Sequence, residues 1–301
     1  MATSRRSGTF RTLLMSSRPL SWVNTAFPFA VGYVMTTHQV DLTLIIGTLF
    51  FLIPYNVAMY GINDVFDYES DLRNPRKGGV EGAVLDRRFH RLTLWVVLAT
   101  NLPFLVFMVA VGNPLSWLVL AVSMFAVVAY SVKGLRFKEV PFLDSITSST
   151  HFVSPAIYGL VLAGAVFTPA LWLVLVAYFL WGVASHAFGA IQDIQADREG
   201  GLASVATVMG ARFTARFALV AYLLAGVALV FAAVTGTGAW PTFYAPVLAI
   251  PYVIMVWPYL SLPDAECERA HRGWRAFLWI NYAAGFGVTM LLILHWTGAG
   301  A

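Results

Sequence analysis

Two short acidic strings carry the chemistry this sequence offers. The first, N-D-V-F-D-Y-E-S-D at residues 63–71, sets Asn63, Asp67 and Asp71 four residues apart, with Asp64 three before Asp67. On a helix these side chains form one stripe, where like charges repel. A divalent cation resolves that conflict. The second string, Q-D-I-Q-A-D-R-E at 192–199, repeats the interval with Asp193 and Asp197. Mg²⁺ takes oxygen ligands, keeps several waters and typically uses one or two carboxylates plus substrate phosphates. Two facing acidic groups therefore suit a diphosphate held between them through Mg²⁺. Arg73, Arg76, Lys77, Tyr130, Lys133, Arg136, Lys138 and Arg198 are available for the remaining phosphate oxygens. Either string alone reads equally well as solvated charge beside a membrane. The pairing of the two is the signal.

The elements that position these strings are membrane helices. The chain has 301 residues, of which 59% are hydrophobic and only 11% charged, with a mean hydropathy of +0.73. A soluble domain carries about 25% charged residues. The single Cys267 excludes a disulfide scaffold. Apolar stretches long enough to span a bilayer, about 20 residues each, lie at 19–37, 42–62, 92–111, 115–132, 142–163, 168–189, 214–235, 242–262 and 274–296. The expected architecture is an all-α integral membrane protein. A basic segment, 1–18, precedes a single nine-helix domain, 19–297. The first span is too long for a cleaved leader, holds Asn24 and Pro28, and is followed by no small-residue cleavage site.

Charge placement supports this count. All 19 Lys and Arg residues fall before span one or at the connections of spans two and three, four and five, six and seven, and eight and nine, with Arg216 and Arg275 in the first turns of spans seven and nine. Of 15 Asp and Glu residues, only Asp41 falls in a loop on the opposite side. The positive-inside rule makes the charged side cytoplasmic and puts the C-terminus outside an inner or plasma membrane. The net charge of +4 and pI near 9.3 then follow from topology and call for no nucleic-acid partner. Residues 1–18 fix orientation and touch anionic lipid. Both acidic strings follow spans running inward, so they reach the same membrane face.

At these residues the chain resembles the UbiA-type intramembrane prenyltransferases. The resemblance rests on R-P at 18–19, N-D-x-x-D-x-x-x-D at 63–71, Y-S followed by basic residues at 130–138, D-x-x-x-D at 193–197, and G-G-L-A-S-V-A-T-V-M-G at 200–210. It implies nine helices around a central cavity capped by cytoplasmic loops. It also implies Mg²⁺-dependent transfer of a prenyl group from an allylic diphosphate to a lipophilic acceptor. Asn63, Asp67 and Asp71 then fall on a first metal site, and Asp193 and Asp197 on a second. Tyr130, Lys133, Arg136 and Lys138 fall in the diphosphate-holding loop. The strings at 17–30, 66–79 and 135–145 are similar to the lycopene elongases of actinobacterial carotenoid pathways. Those enzymes add five-carbon units to the ends of lycopene, and the donor implied is dimethylallyl diphosphate.

An allylic cation must be shielded from water, which a cavity inside a membrane does. Aromatic faces stabilise a cation without attacking it. Tyr60, Phe66, Tyr68, Trp181 and Phe188 lie within two helical turns of an acidic string and are the candidates for that role. Asp64, Asp67, Asp71, Asp193 and Asp197 are the expected catalytic acids. Gly78, Gly79 and Gly82 make the 72–91 loop a candidate lid. Asn24, Asn56, His151 and His186 read as interhelical hydrogen-bonding residues, with a histidine base for the final deprotonation as the alternative. Asp144 reads as a local ion pair with Lys138. After Arg18 every basic residue lies in or directly beside a loop on the charged side, which favours a neutral acceptor over an acidic aromatic one. A transporter would place carboxylates mid-span, and none lies there.

Overall fold

The computed structural model describes residues 9–68, 72, 85–236 and 240–298. Among these the regular structure is all helical. Seven helices are long and apolar enough to cross a bilayer: Leu42–Phe66, Arg87–Ala110, Pro114–Ser131, Pro169–Glu199, Val205–Thr235, Pro241–Tyr259 and Asp264–Trp296. The other two expected spans are also helical. Val23–Thr37 is regular over only 15 residues. Leu143–Leu162 has 20 residues, but Asp144, Ser145, Thr147, Ser148, Ser149, Thr150, His151 and Ser154 dilute its apolar character. The chain divides into two compact units, and the division falls within Leu143–Leu162.

The first unit, residues 1–136 with Ser154–Ala165, holds α1 (Thr9–Ser16), α2 (Val23–Thr37), α3 (Leu42–Leu52), α4 (Pro54–Phe66), α5 (Arg87–Ala110), α6 (Pro114–Ser131) and the second half of α7 (Leu143–Leu162). The expected span 42–62 is broken at Ile53–Pro54, because proline has no N–H to continue the ladder. Side chains hydrogen-bond the carbonyls around the break. Asn56 Nδ2 donates to Phe51 O and Leu52 O at 2.8 and 3.1 Å, Thr25 Oγ1 donates to Phe51 O at 2.7 Å, and Asn101 Nδ2 donates to Pro54 O at 2.8 Å. Irregular backbone at membrane depth survives only with such partners. Phe29, Phe50, Phe51, Tyr55, Met108 and Tyr158 are fully buried around this break.

The second unit, Phe137–Val153 with residues 166–301, holds the first half of α7, α8 (Pro169–Ala190), α9 (Ile194–Glu199), α10 (Val205–Thr235), α11 (Ile250–Val256) and α12 (Ala270–Trp296). Along α10, Ala211, Ala215, Ala218, Ala221, Ala225, Ala228 and Ala232 are buried at helical spacing. Small residues let α10 lie close against Ala177 and Ala184 of α8. The expected span 242–262 is mostly 3₁₀ turns, Trp240–Ala249 and Trp257–Tyr259, around the short α11. Pro241, Pro246, Pro251 and Pro258 account for that. Helix α10 starts nine residues before the expected boundary of 214 and is kinked at Gly210, whose φ of 81° suits glycine.

Candidate active site

In the first unit, α4 ends on the first acidic string. Asp67 is its C-cap, and its N–H donates to Asn63 O at 2.9 Å. The helix delivers its carboxylates into the protein interior. Asp64 is fully buried and Asp67 only 6% exposed. Charges in such places must be paired. Ser16 Oγ donates to Asp64 Oδ2 at 2.7 Å, and Arg18 Nη2 lies 3.5 Å from Asp64 Oδ1. Arg136 Nη2 lies 3.8 Å from Asp67 Oδ1. Ser131 Oγ donates to Asn63 Oδ1 at 2.9 Å. The Arg18 guanidinium also sits 4.4 Å above the Tyr60 ring.

Both arginines that meet these acids hold left-handed backbone, with φ of 51° at Arg18 and 42° at Arg136. Such a conformation costs a non-glycine residue about 1–3 kcal/mol and concentrates at functional sites. Of the basic residues expected after Tyr130, the structure brings Arg136 to the acids and leaves Lys133 exposed. Tyr68 is anchored on the start of α5, edge-on to His90 at 5.1 Å and under the Arg87 guanidinium at 5.1 Å. Phe66 is half-buried against the aromatic core. Asp71, Arg73, Arg76, Lys77 and most of the proposed 72–91 lid lie outside the described residues.

In the second unit, α8 gives way to a 3₁₀ turn, Ile191–Asp193, and then to α9. Asp193 is the N-cap of α9 and Asp197 lies in its first turn. Both are half-buried. The neighbouring polar side chains turn to the 264–271 segment. Gln192 Oε1 meets His271 Nδ1 at 2.9 Å, Gln195 Nε2 donates to Ala265 O at 3.2 Å, and Arg198 Nη2 pairs with Asp264 Oδ2 at 2.8 Å. Arg198 Nε also donates to Thr207 O at 2.9 Å, and the Ala211 N–H donates to Asp264 Oδ1 at 2.7 Å. The sequence reading missed Gln192, Gln195, Asp264 and His271. The signal was the three-residue interval of Gln192, Gln195 and Arg198, out of step with the acids.

Other expected residues take packing roles. Trp181 stacks on Tyr178 and Phe277, and Phe188 is 1% exposed against Tyr259. Ser145 Oγ lies 3.1 Å from His186 Nδ1, the helix–helix contact expected of that histidine. The Asp144 carboxylate accepts from the N–H groups of Ser145 and Val205 at 2.7 and 2.9 Å, capping α10 from outside where the sequence suggested an ion pair with Lys138. Among the described residues no three His, Cys, Asp or Glu side chains gather as a metal cluster. The donor chemistry nonetheless fits Mg²⁺. Asn63 and Asp67 present hard oxygens at one helix end, and Asp193 and Asp197 do so at another.

Residues 25–281 match the UbiA prenyltransferase family. The chain is 56% identical over 286 residues to the C(50) beta-cyclic carotenoids biosynthesis protein LbtBC of Dietzia sp. (strain CQ4), covering 95% of this chain but 65% of that protein. It is 50% identical over 283 residues to a lycopene elongase/hydratase of Corynebacterium glutamicum, covering 94% of this chain and 96% of that one. Its fold is that of a UbiA homolog from Archaeoglobus fulgidus solved with DMAPP and Mg²⁺, with a TM-score of 0.67 at 20% identity over 91% of this chain and 98% of the other. The family match runs through both acidic strings and nearly all of the helices that carry them, and the chain belongs to the UbiA prenyltransferase family.

Proposed function

We propose that this prenyltransferase joins five-carbon units from dimethylallyl diphosphate to the ends of lycopene. The observation that carries this reading is the 50% identity to a lycopene elongase/hydratase across almost the full length of both chains. The sequence agrees, since past Arg18 no basic residue lies deep within a span to hold an acidic acceptor. The acidic helix ends face the cytoplasm in this proposal, and the C-terminus lies on the opposite side.

Asn63, Asp67 and Asp71, with Asp193 and Asp197, would hold Mg²⁺, which lends positive charge to a departing diphosphate. Tyr130, Lys133, Arg136 and Lys138, with Arg73 and Lys77, hold the phosphate oxygens. The allylic C–O bond breaks and its electron pair leaves with the diphosphate. The π electrons of the terminal alkene form the new C–C bond and leave a tertiary cation. That cation loses a proton to give an alkene, or takes up water and then loses a proton to give an alcohol. The apolar helices keep bulk water from the first cation. Tyr60, Phe66 and Tyr68, beside the first acidic string, supply the aromatic faces for it.

The test is pigment analysis in a lycopene-accumulating bacterial host. New carotenoids heavier than lycopene by one or two five-carbon units, absent with Asp67→Ala, are the expected result. Unchanged lycopene beside folded protein would overturn the acceptor assignment. The search would then move to aromatic and glycerol-phosphate acceptors.

A further inference from the structure

The second acidic string is built on two helical faces with different jobs. Asp193 and Asp197 are four residues apart; Gln192, Gln195 and Arg198 follow each other at intervals of three. All three of the latter reach one short segment: Gln192 to His271, Gln195 to the Ala265 carbonyl and Arg198 to Asp264. The Cys267 Sγ adds a weak contact to Gln192 O at 3.9 Å. Gln192 is 7% exposed. Asp264 serves two masters, since its other oxygen accepts the Ala211 N–H directly after the Gly210 kink. The Arg198 guanidinium, whose Nε reaches the Thr207 carbonyl, therefore joins α9, the start of α10 and the 264–271 segment. Its charge is already matched by a carboxylate at 2.8 Å.

We propose that Gln192, Gln195 and Arg198 are positioning residues that clamp α9 onto residues 264–271 and so fix the direction of Asp193 and Asp197, with Arg198 acting through Asp264 and not on the diphosphate. This rests on the prenyltransfer reading above for the job of Asp193 and Asp197. A short helix of six residues has little stability of its own, so its orientation comes from these side chains. Groups that orient metal ligands typically change metal affinity or activity 10–100-fold when removed.

The experiment uses the full chain in detergent, with Arg198→Gln, Arg198→Lys, Asp264→Asn and the double variant Arg198→Gln/Asp264→Asn. Asp264→Asn keeps an oxygen for the Ala211 N–H while removing the charge that meets Arg198. Metal binding is read without turnover, by electron paramagnetic resonance of Mn²⁺ titrated in the presence of inorganic diphosphate. Amide hydrogen exchange over 192–204 reports the clamp itself. Arg198→Gln and Asp264→Asn are each expected to weaken Mn²⁺ binding about tenfold and to speed exchange over 192–204. The double variant should be no worse than the weaker single one, and Arg198→Lys should recover part of the loss. In turnover assays the KM for the allylic diphosphate at saturating Mg²⁺ should stay within about twofold of the parent, against the tenfold range expected for the metal.

A tenfold rise in that KM for Arg198→Gln but not for Asp264→Asn would overturn the proposal and put Arg198 on the diphosphate. Unchanged Mn²⁺ binding in both single variants would overturn it too. Failure of the parent chain to release diphosphate with Mg²⁺ would sink the prenyltransfer reading instead. The Mn²⁺ and exchange measurements would still decide whether the clamp orients the acids.

Discussion

Helix α2 is short for a membrane span, and its hold on α7 rests on two glycines whose replacement has a calculable effect. A Cβ added at Gly32 would lie 2.7 Å from the Ala156 carbonyl oxygen, and one added at Gly159 would lie 2.5 Å from that of Phe29. Carbon–oxygen contacts between helices relax at about 3.3 Å, so either alanine must part the two helices by roughly 0.6–0.8 Å. The obstructing atoms are backbone, which cannot swing aside as a side chain can. A gap of that width forfeits about a quarter to a half of the dispersion attraction of the atoms across it. Overpacking of this kind costs about 1–3 kcal/mol. Exchanging glycine for alanine within a helix favours the helix by up to about 1 kcal/mol, so the cost must be read against a control. Gly285→Ala is that control, because a Cβ there meets nothing within 4 Å.

We expect Gly32→Ala and Gly159→Ala each to be about 1–3 kcal/mol less stable than Gly285→Ala, by titration with sodium dodecyl sulfate in mixed micelles, followed by tryptophan fluorescence. The double variant should lose less than the sum, because one separation relieves both contacts. Single variants as stable as the Gly285→Ala control, or losses that add in full, would falsify the account of this crossing.

Three further outcomes are expected. Asp67→Ala and Asp193→Ala should each abolish Mg²⁺-dependent diphosphate release while leaving elution from size exclusion and helical circular dichroism unchanged; full activity in either would refute the two-string mechanism. Asn56→Leu removes the donor to Leu52 O and one of two donors to Phe51 O at the Ile53–Pro54 break, and should cost about 1–2 kcal/mol in the same unfolding titration, where an unchanged midpoint would show that the break needs no side-chain support. At the opposite end of α3, the hydrogen bond from the Leu44 N–H holds the Asp41 carboxyl below the usual carboxylate range, assisted by Tyr33. Its contribution is complete above the unfolded value of about 3.9 and is lost as pH falls through the folded one. Asp41→Ala should therefore flatten the acid side of the stability profile, and an identical profile would contradict the capping role.

Much of this could be read along the chain because its causes are local. The four-residue interval of Asn63 and Asp67, and of Asp193 and Asp197, needed only helical geometry. Asn56 and His186 could be read as helix–helix partners because buried polar groups in a membrane have few alternatives. What escaped reading was set by distant partners. Arg198 pairs with Asp264, far along the chain, a contact that no local spacing announces. Asp144 looks paired to nearby Lys138 until the Val205 amide, 61 residues away, takes its carboxylate. Boundaries slipped where proline intervened. Hydropathy is continuous through Pro54 and through Pro246–Pro258, whereas the hydrogen-bond ladder is not.

The kinked start of α10 also sets an order in time. Its outside cap, Asp144, is made before it, but the carboxylate that receives the Ala211 amide comes 53 residues later. At synthesis rates of about 5–20 residues per second that delay is about 3–10 s. Through that interval the nascent chain holds every acid of both strings, yet has nothing to lock the kink or to grip Gln192, Gln195 and Arg198. A ribosome stalled before residue 264 would carry a protein complete in both acidic strings and incomplete in the arrangement of the second, so the second acidic turn is set only once the 264–271 segment has been made.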